Sequence, residues 1–157
     1  MTLPVDPAAF VAAAERGVND RDLDATAGVY APDAVLTSIT DGALERIEGA
    51  AAIRRGWKAY LEGMDARDFW LRKTLSAASG DTIANEWVGG FGVGGAGLGA
   101  HGAERWRFDA EGRVADHVMW TFFDVRPSTS LMARARIGLA SPRTAIAFLR
   151  AQRRNGV

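Results

Sequence analysis

The chain has 157 residues, 48% of them hydrophobic and 24% charged, a balance that builds one domain around a buried core and excludes a disordered chain. It contains no cysteine, which excludes disulfide scaffolds, thiolate metal sites, iron–sulfur clusters and cysteine nucleophiles. The formal charge is zero, but the seven arginines after Asp124 are accompanied by no acid, so an acidic body carries a basic tail. Such a tail folds back on the acidic body or on a partner subunit; nucleic acid is the weaker alternative for it. No basic-then-apolar leader opens the sequence, and no apolar run reaches the roughly 18 residues that cross a bilayer. The expectation is a soluble cytoplasmic protein with no membrane partner.

Asp6 followed by Pro7 reads as an N-cap and first helical residue, and Phe10, Ala14 and Val18 then recur at helical spacing. A second short helix is predicted over DLDATAGVY, capped by Asp22 and stopped by Pro32. AVLTSIT alternates as a strand does, and Asp41 with Gly42 lets the chain double back. A third helix follows, with Ile53, Trp57, Leu61 and Met64 on one face and Tyr60 beside that stripe.

From Asp68 the period changes to two. FWLRKTLSAA, DTIANEWVGGF, AHGAERWRF and RVADHVMWTFFDV read as four strands separated by turn residues, an antiparallel meander. Helices followed by strands indicate an α+β fold, with helices covering one face of a sheet. The domain is expected over residues 1–126. Residues 127–157 form an arginine-rich helical extension that is no independent domain.

The segment from Gly89 to Gly102 holds eight of the 18 glycines and matches G-x-G-x-x-G from Gly90 and from Gly92, among other starts. A dinucleotide site needs that pattern between a strand and a helix, whereas here it leads into another strand, so a long hairpin connection is the better account. With two histidines, scattered carboxylates and no ligand spacing, neither a metal site nor a cofactor is expected.

His117 and His101 are the natural groups for proton transfer near neutral pH. Glu104, Trp106 and Phe108 share one phase of their strand, and His117 shares a phase with Met119. A face with that much aromatic surface is the buried one, so Glu104 and His117 point inward. Burial raises a carboxyl's pKa unless a positive partner offsets it, and His117 is the expected partner. Glu86 joins them if its phase, and not that of Trp87, faces inward. Two acids beside a histidine suit proton abstraction next to a carbonyl, or hydration and dehydration of an apolar ring compound. A structural Glu–His pair filling a core remains the alternative.

The element order, with the phrases NDRDLDATAGVYAPDAVL, IEGAAAIRRGW and ERWRFDAEGRVADHVMWTFFDV, resembles the nuclear transport factor 2-like superfamily. Within it, the chain looks like the SnoaL-like polyketide cyclase and ketosteroid isomerase-like group over roughly residues 8–126. The resemblance implies a cone of curved antiparallel sheet around helices, a pocket inside, and a homodimer. In the position of the isomerases' oxyanion-binding acid stands Glu104, but their first-helix tyrosine falls near Ala14 and their general base near Ser38. The last-strand aspartate of the family's epoxide hydrolases corresponds to Met119. Steroid isomerisation and epoxide hydrolysis by those mechanisms are therefore disfavoured.

A cofactor-free isomerase, cyclase or dehydratase of a hydrophobic cyclic or polyketide-like molecule is the activity expected. His117, Glu104 and Glu86 are its catalytic candidates. Tyr30, Trp57, Tyr60, Trp106, Met119 and His101 are its substrate-binding candidates, with Tyr30 as the cap. A non-catalytic ligand-binding or dimerisation module of the same fold is the alternative.

Overall fold

The computed structural model describes residues 6–92 and 98–124, and in the C-terminal part only residues 146 and 150, both helical. The rest of the expected 127–157 extension and the centre of the glycine-rich stretch lie outside the described residues. The chain divides into two compact units, Met1–Asp124 and Val125–Val157, and the fold below is that of the first.

Helix α1 spans Pro7–Asn19, and its Asp6 cap accepts from the Ala9 N–H at 2.9 Å, satisfying one of the donors that a helix start leaves free. Helix α2 covers only Leu23–Ala27 with Gly28 at its C-cap. Tyr30, expected at the end of that helix, instead opens strand β1, Tyr30–Thr40, by pairing with Val114. Pro32 therefore lies inside a strand. It is tolerated because the register breaks between Tyr30 and Val35, where no ladder N–H is required.

Strand β2, Ala43–Glu48, returns along β1 through the Asp41–Gly42 turn, where both residues have positive φ. Helix α3, Ala50–Asp65, buries Ile53, Trp57 and Leu61, spaced four apart on one face. Strands β3 (Trp70–Ser79), β4 (Thr82–Gly90), β5 (Gly99–Phe108) and β6 (Val114–Phe123) then form the expected meander.

The sheet order is β2-β1-β6-β5-β4-β3. All neighbours are antiparallel except β1 and β6, which run parallel. Helix α3 carries the chain from the β2 hairpin to β3 at the opposite edge, so the six-stranded curved sheet stays unclosed.

Register sets four rows of side chains across the inner face. The first holds Ile83, Trp106, His117 and Leu36; the second Asn85, Glu104, Met119 and Ser38; the third Trp87, Gly102, Thr121 and Thr40; the fourth Gly89, Ala100 and Phe123. Gly102 is required in its row: a Cβ there would lie 2.6 Å from the Trp87 ring and 2.1 Å from the Trp120 carbonyl oxygen. The missing side chain lets the Trp87 indole lie against the sheet.

Arg21, at φ 59°, ties the helices to the sheet. Its guanidinium donates to the carbonyls of Val18 at 2.7 Å and Phe69 at 2.6 Å, and reaches that of Met64 at 3.4 Å. Asn19 adds reciprocal bonds to the Leu71 backbone, at 2.8 and 3.0 Å. The ends of α1 and α3 and the start of β3 are thereby held together around Val18, Met64 and Phe69.

Candidate functional site

Between the sheet's inner face and the helices lies a cavity of about 390 Å³, within the range that accepts a small organic molecule. Its walls are mostly apolar, with Trp57 and Met64 from α3, Trp87 from β4, and Phe69, Phe91 and Phe123. The polar groups are few: Ser38 and Thr40 of β1, Thr121 of β6, Tyr60 of α3 and the carboxylate of Glu104. A second cavity of about 50 Å³ lies behind it and shares Val18, Trp57 and Glu104 as walls. His117, Lys73, Thr26 and Trp106 line this rear compartment only.

Glu104 is held by Lys73, whose ammonium donates to its Oε2. Their side chains are 2% and 3% exposed respectively. The Lys73 Nζ also lies 5.1 Å from the centre of the Trp106 ring, a cation–π contact strengthened by desolvation. Among the described residues no other donor reaches the Glu104 carboxylate.

His117 is 1% exposed and belongs to a different chain of bonds. The Trp57 Nε1–H donates to the Tyr30 hydroxyl at 3.0 Å, and that hydroxyl lies 2.7 Å from His117 Nδ1. Trp57 can only donate, so the arrangement that uses every group has Tyr30 donating to His117 and the ring proton on Nε2. Nε2 itself has no partner among the described residues, nor does Oγ1 of Thr26. Burial, seconded by the nearby Lys73 charge, pushes the His117 pKa well below its usual value. The ring is therefore neutral near pH 7. Burial likewise drives the Tyr30 phenol above its usual range, with the Glu104 charge adding to the shift and the Trp57 bond opposing it. Tyr60 is pushed up to about 12 by burial and by the bond it donates to Glu45, so its ring faces the cavity while its proton is engaged outside.

A family model for the SnoaL-like domain matches residues 10–117. The chain belongs to the SnoaL-like family. No curated protein matches it. Among solved structures it is similar to a SnoaL-like protein of Burkholderia thailandensis, at 21% identity, TM-score 0.59, and coverage of 74% of this chain and 97% of that one. It is similar also to a Mycobacterium tuberculosis protein in complex with estradiol-17β-hemisuccinate, at 19%, TM-score 0.55, and coverage of 72% and 91%. A third is SalBIII, an epoxide hydrolase/cyclase-like enzyme of pyran ring formation in salinomycin, at 19%, TM-score 0.57, and coverage of 76% and 91%. At these identities the likeness establishes the fold.

On this SnoaL-like scaffold the expected residues separate into three groups. Glu104, Trp57, Tyr60 and Met119 line the main cavity. His117 and Trp106 line the rear compartment, and Tyr30 is buried beside His117, so it caps nothing. Glu86 and His101 lie on the outer face, because Asn85 and Trp87 take the inward phase of β4, and Gly102 and Glu104 that of β5. Glu86 therefore does not join Glu104. The expected Glu104–His117 pair does not form either: the carboxylate takes Lys73 and the imidazole takes Tyr30.

Lys73 was not among the sequence candidates, although FWLRKTLSAA carries its signal. Lys73 shares the phase of Phe69 and Leu71, both buried, and a lysine in an apolar phase calls for a buried acid. Asn85, 1% exposed with an unpartnered Oδ1, stands beside Glu104 in the second row and was also missed. Among the described residues no cluster of three or more His, Asp or Glu forms a metal site.

Proposed function

We propose that this SnoaL-like protein is a cofactor-free acid–base enzyme that binds a hydrophobic cyclic or polyketide-like molecule in its inner cavity, as an isomerase, cyclase or dehydratase. The observation that carries this is one carboxylate, Glu104, placed in the wall of a mostly apolar cavity of about 390 Å³. In a site depleted of water, a fixed carboxylate, even one paired with an ammonium, acts on the ligand more strongly than it does in solvent. Glu104 is the group that accepts the proton. Lys73 holds its carboxylate in place, and the neutral Tyr30–His117 pair supports the wall behind. Ser38 stands two strands away in the same row as Glu104, where its hydroxyl serves a second polar atom of the ligand.

3-Hydroxy-1-tetralone in D2O tests this. Proton abstraction puts deuterium at C2, and loss of water leaves fluorescent 1-naphthol. Both are expected from the native protein. Neither is expected from the Lys73→Met/Glu104→Gln double variant, which leaves no charge unpaired.

A second function is favoured by the sealed position of His117 and the capture of Glu104 by Lys73: the same cavity binds its ligand without chemistry. Saturable binding of the tetralone, with neither deuterium nor naphthol appearing, selects it. A homodimer in the cytoplasm is part of the proposal. Trp70, Val88 and Phe122 stand exposed on the outer face, an apolar surface suited to burial against a second copy. Sedimentation showing a monomer at tens of micromolar, an order-of-magnitude concentration for weak association, contradicts the dimer.

A further inference from the structure

The chemistry of the Glu104–Lys73 pair constrains which end of a ligand can face it, and this inference rests on the ligand-binding function proposed above. A carboxylic acid that carries its proton in an apolar site donates a hydrogen bond and so recognises a carbonyl or an oxyanion. A carboxylate can only accept. Glu104 is bonded to an ammonium whose side chain is 3% exposed, and protonating Glu104 before any anion forms on the ligand would leave that buried charge without a counter-charge, a costly state. Lys73 cannot swing away to water, since it is packed over Trp106 and faces the rear compartment. The imidazole next to that compartment is neutral and supplies no alternative counter-charge. Glu104 thus meets an incoming ligand as a carboxylate, an acceptor in the cavity wall.

We infer that the inner end of the ligand is a neutral hydrogen-bond donor, a hydroxyl or N–H on an apolar ring system, and that a bare carbonyl or a cationic amine is a poor fit at this position. The carbonyl fails because two acceptors face each other. The amine fails because Lys73 already neutralises Glu104, leaving no net negative charge to offset the loss of an ammonium's hydration in a cavity walled by Trp57, Trp87 and Phe123. Of the remaining polar groups in the cavity wall, the hydroxyls of Ser38, Thr40 and Thr121 both donate and accept, the Tyr60 proton is held by Glu45, and the unpartnered Trp87 Nε1–H can only donate, so none of them favours a donor over an acceptor. The selectivity therefore arises at Glu104.

Four probes of one ring system separate these cases by calorimetric titration of the native protein: 2-naphthol, 2-methoxynaphthalene, 2-acetonaphthone and 2-(aminomethyl)naphthalene. The expected result is 2-naphthol binding about 10- to 100-fold more tightly than the methyl ether or the ketone, the usual yield of a hydrogen bond to a charged group, with the ammonium also weaker than the naphthol. In the Lys73→Met/Glu104→Leu double variant the naphthol's advantage over its methyl ether is expected to vanish. Equal binding of naphthol and ether by the native protein overturns the inference while leaving the ring-binding cavity intact. Tighter binding of the ketone or the ammonium does the same, as does a preference that survives in a folded double variant. If none of the four binds, the ligand-binding function itself fails and the inference falls with it. The native series decides even if the double variant does not fold.

Discussion

The two faces of the sheet carry the same pair of residue types and treat them oppositely. Inside, Glu104 and His117 sit in adjoining rows, almost without solvent, each tied to a buried partner. Outside, Glu86 and His101 line an exposed groove on the neighbouring strands β4 and β5, and His101 stacks on the exposed Phe122 ring and meets the exposed carboxylate of Asp124, at 3.2 Å. Residue type alone therefore says little about chemistry here. One step of strand phase moves a glutamate from a screened surface charge to a fixed acceptor in an apolar wall.

Breaking the inner pair should give the largest effect. Glu104→Ala leaves the Lys73 ammonium buried and unpaired, with an expected loss of about 3–5 kcal/mol, whereas Glu86→Ala should stay within about 0.5 kcal/mol. Urea unfolding of both variants measures the contrast, and equal losses would erase the distinction between the faces. Next comes Tyr30→Phe. It removes the shared partner of Trp57 Nε1 and His117 Nδ1, and about 1–3 kcal/mol is expected for each polar group left unsatisfied.

His117 should also give the protein a pH response. Because the folded state depresses the His117 pKa, the unfolded chain binds the proton more readily. Stability from this group is full above the unfolded value of about 6.5 and falls as pH drops toward the folded pKa, by about 1.4 kcal/mol per pH unit. Unfolding midpoints should be insensitive to this group from pH 8 to about 6.5, show this slope from about 6.5 to 5 in the native protein and lose it in His117→Phe. His101→Gln should keep it. The smallest effect is that of His101→Ala on stability, within about 0.5 kcal/mol, since an exposed side-chain contact contributes little.

Much of the fold was legible because it is written in periodicity. The caps Asp6 and Asp22, the apolar stripe Ile53–Trp57–Leu61 and the inward phase of Glu104, Trp106 and Phe108 all appear as expected. The parallel pairing of β1 with β6 was not legible, since no local pattern says which distant strand an edge accepts. The site was half legible for the same reason. Phase placed Glu104 and His117 inside, but partner choice depends on which side chains the curved sheet brings together, and that brought Lys73 to one and Tyr30 to the other. For β4 the sequence offered two phases, and only packing decides that an indole rather than a carboxylate is buried against Gly102.

The most direct test is a crystal structure of the protein soaked with 2-naphthol. The account predicts the ring between Trp57 and Trp87, with its hydroxyl oxygen within about 2.5–2.7 Å of a Glu104 carboxylate oxygen, the distance of a hydroxyl donating to a charged acceptor. A naphthol bound in the outer groove beside Glu86 and His101, or one in the inner cavity with its hydroxyl turned away from Glu104, would contradict it.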